Sequence, residues 1–250
     1  MNKFIQLVRI IFNEFRKEIL ITWSYKFQWF GEFLSLIVFY LFLNNLSKRV
    51  DFSAFSYCVW FYSVLIIGDI SGKITHERNL GTFEQIYLST SSIVTIFFAK
   101  IIASIMKCSL LMLTLVLLLL FYGKTGSLHL LKNFCISILL ITPGLFGFSL
   151  IIGGFTLLLK DVGWVINIIN NSALFLSGAF LSLEEFPYWL QKTSSALPTT
   201  QAINLMQKKQ MQISDVLNVL FINLIYLIIA FVIFSFCEKN AKSRAILDHY

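Results

Sequence analysis

Charge is scarce in this sequence. Asp, Glu, Lys and Arg make up 13% of its 250 residues against 57% hydrophobic ones, and mean hydropathy is +0.78. A soluble globule of this length needs more polar surface than that, so bilayer hydrocarbon is the expected solvent. Period-two alternation is also missing: residues 110–121 show none, whereas a barrel strand alternates over about 10 residues. The spanning elements are therefore expected to be helices. The 20 Lys and Arg, net charge +7, are scattered between apolar runs rather than gathered on one face, which excludes a nucleic-acid surface. Cys58, Cys108, Cys135 and Cys237 lie singly in apolar segments and lack the paired spacing of a metal site or a disulfide framework, so buried thiols are expected. His76, His129 and His249 fall in separate loops or the tail, and no metal site is expected from them. Gly123-Lys124-Thr125 has the ending of a phosphate-binding loop, but position 118 is Leu and no strand precedes it. The chain is thus expected to bind no nucleotide itself. The first 26 residues carry five basic residues and no uninterrupted apolar core, unlike a cleaved signal peptide.

What is present is apolar length. Residues 27–46, 55–72, 93–121, 131–159, 164–183 and 216–237 read as six transmembrane helices. Before them, Phe4, Leu7, Val8, Ile11, Phe12, Phe15 and Ile19 recur at helical spacing, while Lys3, Gln6, Asn13, Glu14, Arg16 and Lys17 lie largely elsewhere on the wheel. That describes an amphipathic helix over 1–26 lying in the membrane interface, or packed on another protein domain. An even span count puts both termini on one side. Assigning them to the cytoplasm places Lys3, Arg9, Arg16, Lys17, Lys26, Lys73, Arg78, Lys100, Lys107, Lys160, Lys239, Lys242 and Arg244 inside, thirteen basic residues against seven outside, as the positive-inside bias favours. The expected organisation is one all-α integral membrane domain over 1–250: spans 1–2 in 27–72, an inner loop 73–92, spans 3–5 in 93–183, an outer segment 184–215, span 6 in 216–237 and a cytoplasmic tail 238–250.

Within the spans, Lys107 carries a charge costing roughly 2.5–3.5 kcal/mol at mid-bilayer. It either snorkels to the inner interface or pairs with Glu32 or Asp69. Thr142-Pro143-Gly144 in the fourth span is either a kink used in opening or the ordinary Pro and Gly of a membrane helix, and Gly144, Gly147, Gly153 and Gly154 permit close helix packing.

Two links are long and polar, and function is sought there. The inner one reads Lys73-Ile-Thr-His-Glu-Arg-Asn-Leu-Gly-Thr-Phe-Glu-Gln-Ile-Tyr-Leu88. As a helix it gives an apolar stripe of Ile74, Leu80, Phe83, Ile86 and Tyr87 and leaves Glu77, Arg78 and Glu84 free to meet water or a partner. Gly81 weakens a continuous helix by about 1 kcal/mol, so a bend or break is expected there. The loop resembles the permease subunits of type 2 ABC transporters, whose loop after the second span carries Glu-x-x-x-Gly-Thr-x-Glu, filled here by Glu77, Gly81, Thr82 and Glu84. Where that family often continues with proline, this chain has Ser89-Thr90-Ser91-Ser92. The outer segment also resembles that family, with Gly178 in the fifth span, then Glu184-Glu185-Phe186-Pro187-Tyr188-Trp189-Leu190 and Leu197-Pro198-Thr199-Thr200. Pro187 suits the first turn of a short helix, Pro198 is expected to end it, and Thr199 or Thr200 to cap the next. The pair of short helices is expected at the outer surface.

The resemblance implies a type 2 ABC exporter permease fold in the plasma membrane, forming the substrate path of an ATP-driven exporter. It implies two ATPase subunits, which bind ATP and Mg, docking on a coupling helix that contains Glu77, Arg78, Gly81, Thr82 and Glu84. A second permease subunit, identical or homologous, completes the path. Glu184, Glu185, Pro187, Trp189 and Pro198 are expected at an extracellular gate. Relatives move drugs, peptides, lipids or lipid-linked glycans. The other readings are an ATPase-independent channel or scaffold, and an intramembrane enzyme using Glu184 and Glu185, for which no accompanying His pattern follows.

Overall fold

The computed structural model describes residues 3–24, 27, 30–31, 34, 37–38, 41, 54–83, 85, 93–121, 128–159, 162–179, 183–208 and 210–243. Every element among them is helical. In chain order they are α1 (Lys3–Ser24), α2 (Ala54–Ile67), α3 (Asp69–Asn79), α4 (Ile93–Phe121), α5 (Leu128–Leu158), α6 (Gly163–Leu176), a 3-10 turn (Leu183–Glu185), α7 (Tyr188–Ser194), α8 (Pro198–Gln207) and α9 (Ile213–Ser243). Three stretches among the described residues are long and apolar enough to cross a bilayer: Phe55–Asn79, Leu131–Leu158 and Ile213–Ala241. Most of the first expected span, with Glu32, lies outside the described residues, as does Glu84.

Helix α5 is the centre of the bundle, packing on α2, α3, α8 and most extensively α9. Its glycines explain the closeness. A Cβ on Gly147 would stand 3.0 Å from the Tyr226 carbonyl oxygen and 3.2 Å from Leu227 Cα, and one on Gly154 3.4 Å from Phe234 Cα. On the other side of α5, a Cβ on Gly153 would stand 2.3 Å from Ile70 Cγ2. Small residues let helix backbones approach where lipid offers no hydrophobic drive to associate. Pro143 sits inside α5 and the helix runs through it.

Two buried layers result. At one end Tyr57, Tyr62 and Ile66 of α2 meet Ile141 and Leu145 of α5 and Ala202, Ile203 and Met206 of α8. At the other, Ile70 and Ile74 of α3, Phe83, Phe97 and Ile101 of α4, Leu150 of α5 and Phe234 of α9 close together. Helix α9 turns an apolar row outward, with Ile213, Leu217, Phe221, Ile228, Val232 and Phe236 all exposed. A contiguous face of this kind suits hydrocarbon, not water.

The structure corrects several expected boundaries. The second span was expected to end at 72, with the charged loop starting at Lys73. The helix instead bends at Gly68, where Ile166 of α6 would lie 3.1 Å from an added Cβ, and α3 continues to Asn79. Lys73 does not end it because its amine is bonded inside the bundle, as shown below. The fifth span, expected over 164–183, is a helix of 14 residues ending at Leu176. At about 1.5 Å per residue it rises roughly 21 Å, short of the ~30 Å hydrocarbon core. The chain turns away at Gly178, whose φ of +77° suits glycine. Cys58, Cys108 and Cys237 are buried, but Cys135 is exposed, because it falls on the outward face of α5.

Candidate functional site

Helix α3 carries Asp69, Lys73 and Glu77 four residues apart, so all three project from one face. That face meets α4. Lys73 Nζ lies 3.5 Å from Asp69 Oδ2, donates to the Lys100 carbonyl oxygen at 2.8 Å and also donates to Ser104 Oγ. Ser104 Oγ in turn donates to Asp69 Oδ1 at 3.0 Å. One turn-pair further, Lys100 donates to Glu77 Oε1, and Lys17 of α1 reaches the same oxygen at 3.3 Å. The side chains of Lys100 and Glu77 are 5% and 8% exposed. A charged spine therefore joins α3, α4 and α1. Charges of opposite sign in contact are what permits their burial.

The end of α3 explains the Glu-x-x-x-Gly-Thr spacing. Leu80 is the C-cap and Gly81 follows with φ +68°. The Gly81 amide donates to the Arg78 carbonyl at 2.9 Å and the Thr82 amide to the Glu77 carbonyl at 3.0 Å. These are the two bonds of a Schellman turn, which needs a left-handed residue after the cap and brings the third-last helical side chain beside the second residue beyond. That side-chain contact is usually apolar; here Thr82 Oγ1 donates to Glu77 Oε2. Glutamate, glycine and threonine at this spacing thus form one unit: a turn whose carboxylate is held by its own threonine and by two lysines.

Arg78 adds a third anchor. It donates to the carbonyls of Leu157 at 3.2 Å and Leu159 at 3.4 Å, at the C-terminal end of α5 where carbonyls lack helical partners. Its guanidinium lies 5.6 Å from the centre of the Phe83 ring, within cation–π range. Glu77 and Arg78 were expected to be free for water or a partner. The structure corrects this: Glu77 is 6% exposed, and both face the bundle. The surface at the tip belongs instead to His76, Asn79, Leu80, Gly81 and Gln85, with Leu80 61% exposed. Phe83 is buried, as its place in the apolar stripe implies, but Leu80 is not.

The expected pairing of Lys107 with Asp69 is not what the structure brings together. Lys73 and Ser104 meet Asp69, while Lys107 is half-buried and, among the described residues, has no carboxylate partner. Lys17, Lys73 and Ser104 were not singled out from the sequence. The four-residue spacing of Asp69, Lys73 and Glu77, matched by Lys100 and Ser104, was the available signal.

The second expected site is the 183–207 hairpin. Glu184 and Glu185 project from the 3-10 turn, exposed. Pro187 is the N-cap of α7, and Trp189 is 66% exposed. Helix α7 ends at Ser194 with Ser195 as its C-cap, ahead of Pro198, which is instead the first residue of α8; Leu197 holds the N-cap position without a side-chain bond, and Thr199 and Thr200 lie within the helix. Proline starts a helix readily because its missing N–H would have no partner there. Helix α8 is packed into the protein, with eight of its ten residues buried. Polar bonds seat it. Asn223 of α9 donates to Gln201 Oε1 at 3.0 Å, and Tyr226 donates to the Ala196 carbonyl at 2.8 Å. Asn133 of α5 donates to the carbonyls of Met206 and Lys208, which terminate α8. Ser194 and Thr200 both donate to the Leu176 carbonyl at the end of α6. Asn133, Gln201 and Asn223 were missed because single amides within apolar runs give no sequence pattern.

The described residues thus form a helical bundle with an exposed apolar row on α9, a braced turn at the end of α3 and the buried helix α8. The family model for ABC-2 type transporters matches residues 9–211, and the chain belongs to that family: it is the permease component of an ABC transporter. Members of the family generally work with ATPase subunits and form dimers. Among curated proteins the chain finds no match.

Proposed function

We propose that this permease is the conduit and lever of an ATP-driven exporter, coupled to separate ATPase subunits through the turn that closes α3. The observation that carries the reading is the arrangement of that turn. Its tip presents Leu80, Asn79, His76 and Gln85 outward, while Glu77, Arg78 and Thr82 tie its root to α1, α4 and α5. A push on the tip is thereby delivered to three helices at once. An exposed leucine on a polar, membrane-proximal turn suits burial in a groove of a soluble partner.

In this reading the chain makes six spans. The 29-residue length of α4 and the helical residues 27, 30, 31, 34, 37, 38 and 41 support two of the three that fall outside the long apolar stretches of described sequence; the third is the apolar helix α6, which at 14 residues crosses most of the core. Both termini lie in the cytoplasm, and α1 braces the inner rim of the plasma membrane. ATP and Mg sit in the partner ATPases. A second permease subunit, identical or homologous, completes the substrate path. The hairpin with Glu184, Glu185, Pro187, Trp189 and Pro198 narrows its outer exit.

Co-purification with the ATPase subunits tests it. Leu80→Glu, or Gly81 and Glu84 replaced by bulky and oppositely charged residues, abolishes ATPase binding or its stimulation, while Glu184→Gln with Glu185→Gln leaves both intact. Normal binding and stimulation by the α3-turn variants would remove the turn from the coupling path.

A further inference from the structure

Helix α3 follows α2 in the chain but takes its cap from α5. Gly68, which separates α2 from α3, has no side chain to cap the new helix. Ser149 of α5 does so instead: its Oγ accepts the amide of Ile70, the second residue of α3, at 3.3 Å, the bond that an N-cap serine ordinarily makes within its own helix. The contact continues along α5. Ile70 packs directly onto Gly153, Thr156 Oγ1 and Ser71 Oγ are hydrogen-bonded at 2.8 Å, and Arg78 reaches the Leu157 and Leu159 carbonyls. Ile70, Ser71, Ser149 and Thr156 are all buried. The joint to α2 is a single small residue at the end of an element, the kind of position that absorbs a hinge rotation.

The far end of α5 is tied to the hairpin. Asn133 donates to the Met206 and Lys208 carbonyls that end α8. Helix α9, closely packed on the glycines of α5, holds the other end of α8 through Tyr226 on the Ala196 carbonyl and Asn223 on Gln201. Pro143 does not interrupt α5. The α3 turn and the hairpin are thus bonded to opposite ends of one rod, with Ser149 between them. At about 1.5 Å per residue, Ser149 stands roughly 15 Å from Leu159 and roughly 24 Å from Asn133.

We propose that α3 and α5 form one two-armed lever, pivoting at the level of Gly68 and Ser149, whose inner arm ends at the α3 turn and whose outer arm ends on the hairpin. A push on the turn passes into α5, to which α3 is keyed, rather than into α2, its neighbour in the chain. Rigid rotation scales displacement with arm length, so a movement of about 2 Å at the turn appears as about 3 Å in the opposite sense at Asn133. Ser149 and Thr156 are positioning residues in this lever: they fix α3 to α5 and act through it. The inference rests on the α3 turn being where the ATPase acts, and it adds the route from that turn to the hairpin.

Hydrogen exchange of the full permease, assembled with its ATPase subunits in nanodiscs, reads both arms at once, without nucleotide and with ATP trapped by vanadate. The expected result is that trapping changes exchange over 77–83 and, by roughly fivefold, over 198–208. Ser149→Ala with Thr156→Val keeps the change at 77–83 and loses the one at 198–208. Ser149→Thr with Thr156→Ser retains both, because each hydroxyl is kept. Asn133→Ala removes the nucleotide dependence at 204–208 and leaves it at 198–203, where α9 holds the helix. Should the Ser149→Ala, Thr156→Val pair fail to assemble, Thr156→Val alone serves, with a partial loss expected at 198–208. A change at 77–83 with none at 198–208 overturns the lever and leaves the coupling site standing. So does a change at 198–208 that these substitutions leave unaltered, since the hairpin is then reached by another route. No change at 77–83 on trapping, in a complex that binds ATP, removes the turn from the coupling path and the lever with it.

Discussion

Replacing Glu77 by Gln keeps the shape of the α3 turn but removes the charge on which two lysines converge. The three members of the cluster differ in exposure, and that sets the order of effects. Lys100 and Glu77 have side chains 5% and 8% exposed, and Lys17 is 53% exposed. Breaking a buried pair from one side leaves the other charge uncompensated at a cost of about 3–5 kcal/mol. Glu77→Gln strands Lys100 and is expected in that range. Lys100→Gln costs less, because Lys17 still meets the carboxylate. Lys17→Gln falls within about 1 kcal/mol, as for pairs open to solvent. For chains of this length about 1 kcal/mol moves the melting midpoint by about 2–4 °C, so a loss near 3 kcal/mol lowers it by roughly 6–12 °C. The double variant Glu77→Gln with Lys100→Gln should lose less than the sum of the two, with a coupling of about 1–3 kcal/mol. Thermal unfolding of the four variants in nanodiscs, followed by intrinsic fluorescence, gives the order directly. An unchanged midpoint for Glu77→Gln, or a Lys17→Gln loss as large as that of Lys100→Gln, would refute the buried spine.

Gly81→Ala places a methyl in open space, with no atom within 4 Å, so its loss of about 1 kcal/mol comes from the left-handed backbone alone; Gly81→Asn should recover much of it in the same melting assay. Gly147→Ala confronts backbone atoms of α9 and is expected to cost about 1–3 kcal/mol by overpacking. Gly144→Ala instead strikes the Asn223 side chain, 1.8 Å from the new Cβ, so its penalty shrinks when combined with Asn223→Ala, as a double-mutant cycle will read. Asn133→Ala leaves the carbonyls ending α8 without their donor, at about 1–3 kcal/mol, and faster hydrogen exchange over 198–208 is the measurement.

Much of the α3 turn was legible because its parts are local. Glycine three residues before Glu84 and four after Glu77 marks a helix end through its conformational freedom, and the threonine beside it completes the turn. The partners of Glu77 were not legible, since Lys100 and Lys17 come from 23 and 60 residues away, and only packing decides which distant cation fills a site. The same gap made Lys73 look like the edge of a span: its charge signals water in sequence, yet its amine is bonded to Ser104 and the Lys100 carbonyl. The fifth span was overread because apolar composition continues past Leu176 while Gly178 turns the backbone. The hairpin prolines gave its two helices, but the burial of α8 rests on amides of Asn133 and Asn223 that resemble any isolated polar residue in an apolar run. The glycines of α5 were read as packing positions and are such, because a missing side chain on a long apolar helix has few other uses.

The central claim is that the tip of the α3 turn is where the permease meets its ATPase. A photo-reactive residue placed at Leu80 in the assembled transporter tests it, with one at Trp189 on the hairpin as the comparison. The account predicts a cross-link from position 80 to the ATPase subunit and none from position 189. Cross-linking from position 189, or none from position 80 in a complex that still hydrolyses ATP and transports, would contradict it.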